Sequence, residues 1–308
     1  MFFLRLVLRV TLTSAVGMLM LIGFSIVTLA APAEDAYKQG RDMLDKKDYK
    51  GAIVALSKAI SFDPKHAAAY AYRGSAYDQL GQYQKAIEDY NTAISFDSKY
   101  AAAYYAYRGH AHDRLGQYQQ AIEDYNKAIS LDPKYTLAYA GRGFTYDSIG
   151  RYQEAIEDLS KAISLDPNNV AAYYDRGKSY ADLGQHQNAI DDYSKAIDLY
   201  PGDKDAYASR GLSYLELRQY QKAIEDYTKA ISLNPKIAKD YTGRGVAYAS
   251  LGQYQKAIDD LTKAVSLDPK LAQAYFVRAT TYEQLGKIDL AHRDREKAKE
   301  LGYTPQQK

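Results

Sequence analysis

The chain has 308 residues, 40 of them Lys or Arg and 38 Asp or Glu, with 32 Tyr, no Cys and no Trp. Without cysteine, a disulfide framework, a cysteine nucleophile, an iron–sulfur cluster and a thiolate zinc site are all excluded. Residues 1–33 hold Arg5 and Arg9 and no acid, so the remainder carries as many acidic as basic residues, and electrostatic nucleic-acid binding lacks its basic footprint.

The first segment reads as a targeting device. Met1 to Arg9 carries both arginines, Val10 to Ala30 runs 21 residues without a charge, and Ala31-Pro32-Ala33 precedes Glu34-Asp35. That is the layout of a secretory signal peptide cleaved after Ala33 or Ala30. A run of that length can also span a bilayer as an uncleaved anchor. Either way the arginines hold their end in the cytoplasm and place the rest beyond it: periplasmic or secreted, or membrane-anchored with the remainder outside. A lipid on a cysteine after the segment is excluded.

From Ala33 the chain repeats itself. Gly40, Gly74, Gly109, Gly143, Gly177, Gly211, Gly245 and Ala279 stand 34 residues apart, with 35 between Gly74 and Gly109, and Pro133, Pro167, Pro201, Pro235 and Pro269 keep the same period. Each unit joins Ala-x-x-Tyr-x-x-Arg-Gly-x-x-Tyr to Leu-Gly-Gln-Tyr and then to Ala-Ile-x-Asp-Tyr-x-x-Ala-Ile. A period of this length, built from two helix-length pieces, is the mark of a solenoid. On these residues the chain resembles the tetratricopeptide repeat (TPR) family, with eight units starting at Ala33, Ala67, Ala102, Thr136, Val170, Lys204, Ala238 and Ala272 and reaching residue 301. Residues 302–308 form a tail. The resemblance implies an all-α, right-handed superhelical solenoid of antiparallel helix pairs.

Periodicity leads to the same pairs of helices. Unit positions 4, 7, 8 and 11 share one stripe of a first helix, and positions 17, 20, 21, 24, 27 and 28 one stripe of a second. Gly81, Gly116, Gly150, Gly184, Gly252 and Gly286 lie between them, where a left-handed cap is needed; Lys47 and Arg218 hold that slot at a cost of about 1 kcal/mol each. Ser98 replaces the proline of unit two and one residue is added before Arg108, so a longer junction or an extended helix start is expected over residues 99–105. In unit eight His292, Arg295 and Lys299 replace the apolar stripe, which marks the helix from Ile288 to Leu301 as an exposed cap.

Tyrosine is mostly packing, since positions 4, 11, 17 and 24 take 23 of the 32. His112 and His186 occupy tyrosine slots, and Gly177-Lys178-Ser179 lacks the upstream glycine of a phosphate loop. Glu88-Asp89 and its counterparts are adjacent on a helix and cannot flank a scissile bond. No catalytic, metal or cofactor site is expected, and the chain reads as a non-enzyme.

In the resembling family the first-helix face opposite the core lines a concave peptide groove. Carried over here, that face comprises Asp78, His110, Asp113, Phe144, Asp147, Tyr174, Lys178, Leu212, Leu215, Val246 and Phe276. The aspartates point to a ligand basic at one end, and the later apolar residues to hydrophobic anchors at the other. A clamp for an acidic chaperone tail needs Lys and Asn at early positions 5 and 9, and Tyr37/Arg41, Ala71/Ser75 and Ala106/His110 do not supply it. The expected role is an exported, mostly monomeric scaffold for a protein or peptide partner; the alternative is a self-associating envelope module.

Position 7 departs from the family, which usually has a large apolar residue there. This chain has Arg73, Arg108, Arg142, Arg176, Arg210, Arg244 and Arg278, while position 23 is Asp89, Asp124, Asp158, Asp192, Asp226, Asp260 and Asp294. Unit one has Gln39 and Ala55, so only pairing inside each unit leaves no orphan. Seven structural bridges follow, from Arg73–Asp89 to Arg278–Asp294.

Overall fold

A computed structural model describes residues 31–304, so the uncharged run Val10–Ala30, expected to act in targeting, lies outside the described residues. Among the described residues there are sixteen helices and no strand, and no helix is long and apolar enough to cross a membrane. The chain divides into two compact units, one ending at Thr145 and one beginning at Tyr146. The N-terminal unit holds α1 (31–45), α2 (Tyr49–Phe62), α3 (Ala67–Gln79), α4 (Tyr83–Phe96), α5 (Ala101–Arg114), α6 (Tyr118–Leu131) and most of α7 (Thr136–Ser148). The C-terminal unit continues with α8 (Tyr152–Leu165), α9 (Val170–Asp182), α10 (His186–Leu199), α11 (Lys204–Glu216), α12 (Tyr220–Leu233), α13 (Ala238–Ser250), α14 (Tyr254–Leu267), α15 (Ala272–Gln284) and α16 (Ile288–Glu300). Each unit is a run of helix pairs, each helix joined to the next by a short turn that forces it to run back antiparallel.

The turns have identifiable chemistry. After α3, Gly81 donates to the Asp78 carbonyl and Gln82 to that of Tyr77, both at 2.9 Å, which satisfies the last carbonyls of the helix. The geometry requires positive φ, 71° at Gly81, and Lys47 and Arg218 are held in the same region at 61° and 58°. Most second helices end on an extended Asp or Asn whose carboxylate or amide oxygen accepts the N–H two residues on, as at Asp63, Asp97, Asp132 and Asn234, while α10 ends on Tyr200. Asp97 keeps this bond although Ser98 replaces the proline, but the turn shifts by one residue, with Ala101 donating to the Ser98 carbonyl at 3.4 Å. The residue added in repeat three enters the helix instead: α5 has 14 residues where α3 and α9 have 13.

The core is thin because the helices approach closely. Ala86, Ala121, Ala189 and Ala223 are fully buried at position 20, and a Cβ on Gly74 would meet the Tyr90 ring at 2.9 Å. The ring at position 24 therefore sits in the notch left by the glycine at position 8. At the C-terminal end, α16 buries Ala291, Asp294 and Ala298 and exposes His292, Arg295 and Lys299.

Arg218→Gly should raise stability by about 1 kcal/mol, because it removes a Cβ from a left-handed backbone. Gly116→Ala should lower it by a similar amount although nothing crowds that position, and urea unfolding of both variants measures the pair.

Candidate functional site

The arginines at position 7 organise the faces on which any site must lie. Arg73 donates from Nε and Nη2 to the two carboxylate oxygens of Asp89, at 2.8 and 2.7 Å. The same fork-to-fork geometry joins Arg108 to Asp124, Arg176 to Asp192, Arg210 to Asp226, Arg244 to Asp260 and Arg278 to Asp294. The Asp89 hydrogen bond raises the Arg73 pKa above its ordinary value despite burial. Tyr70 and Tyr77 flank its guanidinium at 5.4 and 6.0 Å, as Tyr207 and Tyr214 flank Arg210 at 5.6 and 5.9 Å.

Sequence reasoning missed the third bond. Nη1 of each arginine turns back to the preceding repeat: Arg73 to Ser57 at 3.0 Å, Arg176 to Ser160 and Arg210 to Ser194 at 2.9 Å, Arg244 to Thr228 and Arg278 to Thr262 at 3.1 Å. Arg108 and Arg142 reach Asn91 and Asn126 in the same way. The signal was present at position 25, always a short polar residue until repeat eight, where no arginine follows and Glu296 stands.

The first-helix face differs from the expectation in its aspartates. Asp113 and Asp147 are only 8% and 7% exposed, which removes them as open partners for a basic ligand. Each accepts a hydroxyl from position 10 of the next repeat: Thr145 Oγ1 to Asp113 at 2.8 Å and Ser179 Oγ to Asp147 at 2.9 Å. Lys178 also pairs with Asp147, and lies 3.6 Å from Asp182. Asp78 meets His110 at 3.1 Å, and that hydrogen bond raises the histidine pKa. These acids lock neighbouring repeats together.

The apolar residues split as well. Leu212 is 53% and Phe144 42% exposed. Leu215 packs with Tyr214 on the core around Tyr227, and Val246 is half-buried. Tyr174 reaches Ser209 at 3.3 Å and lies 5.6 Å from the Tyr193 ring. Phe276, expected as an anchor, is covered by Tyr303 with ring centroids 4.6 Å apart, because Gly302 turns the chain back after α16. His112 is tied to Gln117 at 2.6 Å, and the His186 Nδ1 is buried without a partner, a local cost of replacing tyrosine.

Comparison with known proteins follows the same repeats. Tetratricopeptide repeat families match residues 67–100, 102–135, 170–203 and 211–281, with further TPR matches at 40–81, 124–157, 148–184 and 193–225. The chain belongs to the tetratricopeptide repeat family. A small glutamine-rich tetratricopeptide repeat-containing protein of Saccharomyces cerevisiae is 39% identical over 74 residues, 24% of this chain and 21% of that protein. The matched stretch thus spans about a fifth of the length of such a relative. The crystal structure of the MamA protein aligns over 56% of this chain and 95% of its own, at 33% identity and a TM-score of 0.52. A tetratricopeptide repeat protein from Parabacteroides merdae shares the fold over 85% of this chain and 99% of its own, at 22% identity and a TM-score of 0.57. The chain is therefore a TPR protein-interaction scaffold.

Arg210→Ala leaves Asp226 buried without its partner and Ser194 without its donor, and should cost about 2–4 kcal/mol, measured by denaturant unfolding. Arg210→Lys should recover only part of that, because an ammonium cannot make three planar bonds. A second expectation concerns Asp240, whose carboxyl burial pushes up to about 6, with Lys204 opposing the shift. In the unfolded chain it titrates near about 4, so between these values the folded state holds the extra proton. Stability from this group is therefore highest below pH 4 and falls as pH rises towards 6. Asp240→Asn should flatten that limb and be more stable than the parent at pH 7, which unfolding across pH 4–7 reads directly.

Proposed function

We propose that this TPR chain is an exported scaffold that holds an extended segment of a protein partner along the groove lined by its first helices. The observation that carries the reading is the contrast between the two kinds of helix. The stripe of the second helices is consumed by packing: Ile156, Leu159, Ile190 and Tyr193 are all buried. First helices instead leave large apolar side chains uncovered in repeats two, three, four and six, with Tyr72, Tyr107, Phe144 and Leu212. Scattered single hydrophobic side chains are ordinary on a surface; recurrence on one helix face of a repeat array is not. Export is supported by the basic, apolar and small-residue order of residues 1–33.

Capture of partners from an envelope extract by the full chain, compared with Leu212→Arg, tests the groove. The expected result is loss of the partner with unchanged unfolding, because Leu212 contributes little to the core. No captured partner, together with a mass that grows with protein concentration in sedimentation, would instead favour a self-associating module. Export is tested by the mature N-terminus: a chain beginning at Ala31 or Glu34 supports it, and an intact Met1 on a soluble cytoplasmic chain overturns it.

A further inference from the structure

An aspartate at position 12 of one repeat is always met by a donor from the next repeat. Thr145 donates to Asp113 and Ser179 to Asp147, both from position 10. Where position 10 is Ala76 or Ala247, the preceding position 12 is Leu44 or Leu215 and needs no donor. The step from repeat two to repeat three is different. Its position 10 is Ala111, so no hydroxyl reaches Asp78. The Asp78 side chain is nevertheless only 10% exposed, and among the described residues its one hydrogen bond is to His110 Nδ1 at 3.1 Å. A nearly buried acid therefore depends on a partner that titrates in the neutral range.

Other constraints are weaker at the same step. Every other turn between repeats carries a proline, from Pro64 through Pro269, and this one carries Ser98, which leaves the backbone more freedom. The turn is shifted by one residue, α5 is longer than α3, and a surface recess of about 230 Å³ lies beside the turn, lined by Ser98, Tyr100 and Tyr135. Two further polar links cross the step, Arg108 to Asn91 and Arg114 to Tyr83 at 3.1 Å. Both start from a guanidinium, which keeps its charge at any ordinary pH. The charges that bear on His110 are Asp78 of α3 and Asp113 and Arg114 of its own helix. Buried Tyr90 of α4 and Tyr125 of α6 feel the Asp78 charge, and His112 meets Asp124 of α6 at 3.7 Å.

We propose that the step between repeats two and three is a pH-sensitive joint, clamped by protonated His110 on Asp78 and loosened when the imidazole is neutral. The hydrogen bond to Asp78 raises the His110 pKa, with burial opposing it. A folded-state pKa above the unfolded value means that the clamp contributes fully below about pH 6.5 and fades as pH rises through the folded value. A neutral imidazole still donates one N–H, but without charge assistance such a bond is about half as strong. Steps three and four, held by Thr145 and Ser179 hydroxyls, have no such dependence on a histidine. Loosening the joint lets α3 and α5 shift against each other on the face where the groove is proposed. The inference stands whether or not a partner binds there.

The chain has no cysteine, so pairs of spin labels can be placed on it singly. Glu88→Cys with Glu123→Cys spans the joint, and Asp191→Cys with Glu225→Cys spans the same exposed positions in repeats five and six. Distance distributions from double electron–electron resonance on the full chain should broaden for the first pair between about pH 5.5 and about pH 8.5. The second pair should stay constant. Amide exchange in α5, normalised to α11, should be about threefold faster at the higher pH. Ala111→Ser supplies the hydroxyl that Ser179 supplies in repeat five, and should keep the step closed at both pH values. His110→Ala should leave it broad at both, and His110→Lys should close it at both, as Lys178 pairs with Asp147. Unfolding curves establish that each variant is folded. Distances across the joint that ignore pH overturn the proposal. A pH response that survives His110→Ala or Ala111→Ser overturns it too, since another group such as His112 then carries the response. Partner capture that depends on Leu212 tests the groove separately.

Discussion

A guanidinium at position 7 has to keep a charge half out of water, satisfy its N–H donors and still let two helices pass closely. The chain meets these demands with one arrangement. Two parallel bonds to the aspartate at position 23 fix the first helix against the second, as between Arg210 and Asp226. The remaining fork nitrogen crosses to the hydroxyl at position 25 of the previous repeat, Ser194 in this case. Tyrosine rings at positions 4 and 11 flank the planar guanidinium. A large apolar residue at the same place could fill the volume, but it would carry no direction. The arginine sets both the geometry inside a repeat and the register of that repeat on its neighbour, and the glycine–tyrosine notch at positions 8 and 24 depends on that register being held.

How much of this could be read from the sequence depends on whether a contact recurs. Helix pairs, turns, the two non-glycine left-handed residues and the exposed cap all follow from a 34-residue period, because eight copies average away local noise. The arginine and aspartate could be matched because repeat one lacks both, which acts as a deletion control written into the chain. Asp113 and Asp147 were misjudged for a physical reason. A helical wheel places position 12 opposite the core stripe, yet the next repeat brings its position 10 over that spot, and Thr145 and Ser179 bury the carboxylates. The wheel describes one helix, whereas burial on this face is decided by two. Phe276 failed for a related reason: Tyr303 covers it, and a tail of a few residues has no period from which to infer its path.

This division also indicates where function has room to reside. Positions 4, 7, 8, 11, 23, 24 and 25 are bound by mutual contacts, so a change at one is felt at several others. Position 9 touches fewer of these partners, and there the repeats diverge, from Ser75, His110 and Phe144 to Lys178, Leu212, Val246 and Thr280. Divergence by itself would mean only that the face is tolerant. Bulky exposed side chains are a different matter, because Ser75 demonstrates that the architecture accepts a small polar residue at the position where Phe144 and Leu212 stand. A phenylalanine kept in water at a site where serine suffices gains little from burial within its own chain. The stabilisation such a ring can still contribute lies in what covers it, and that places the selective part of this scaffold on the face its framework leaves unfilled.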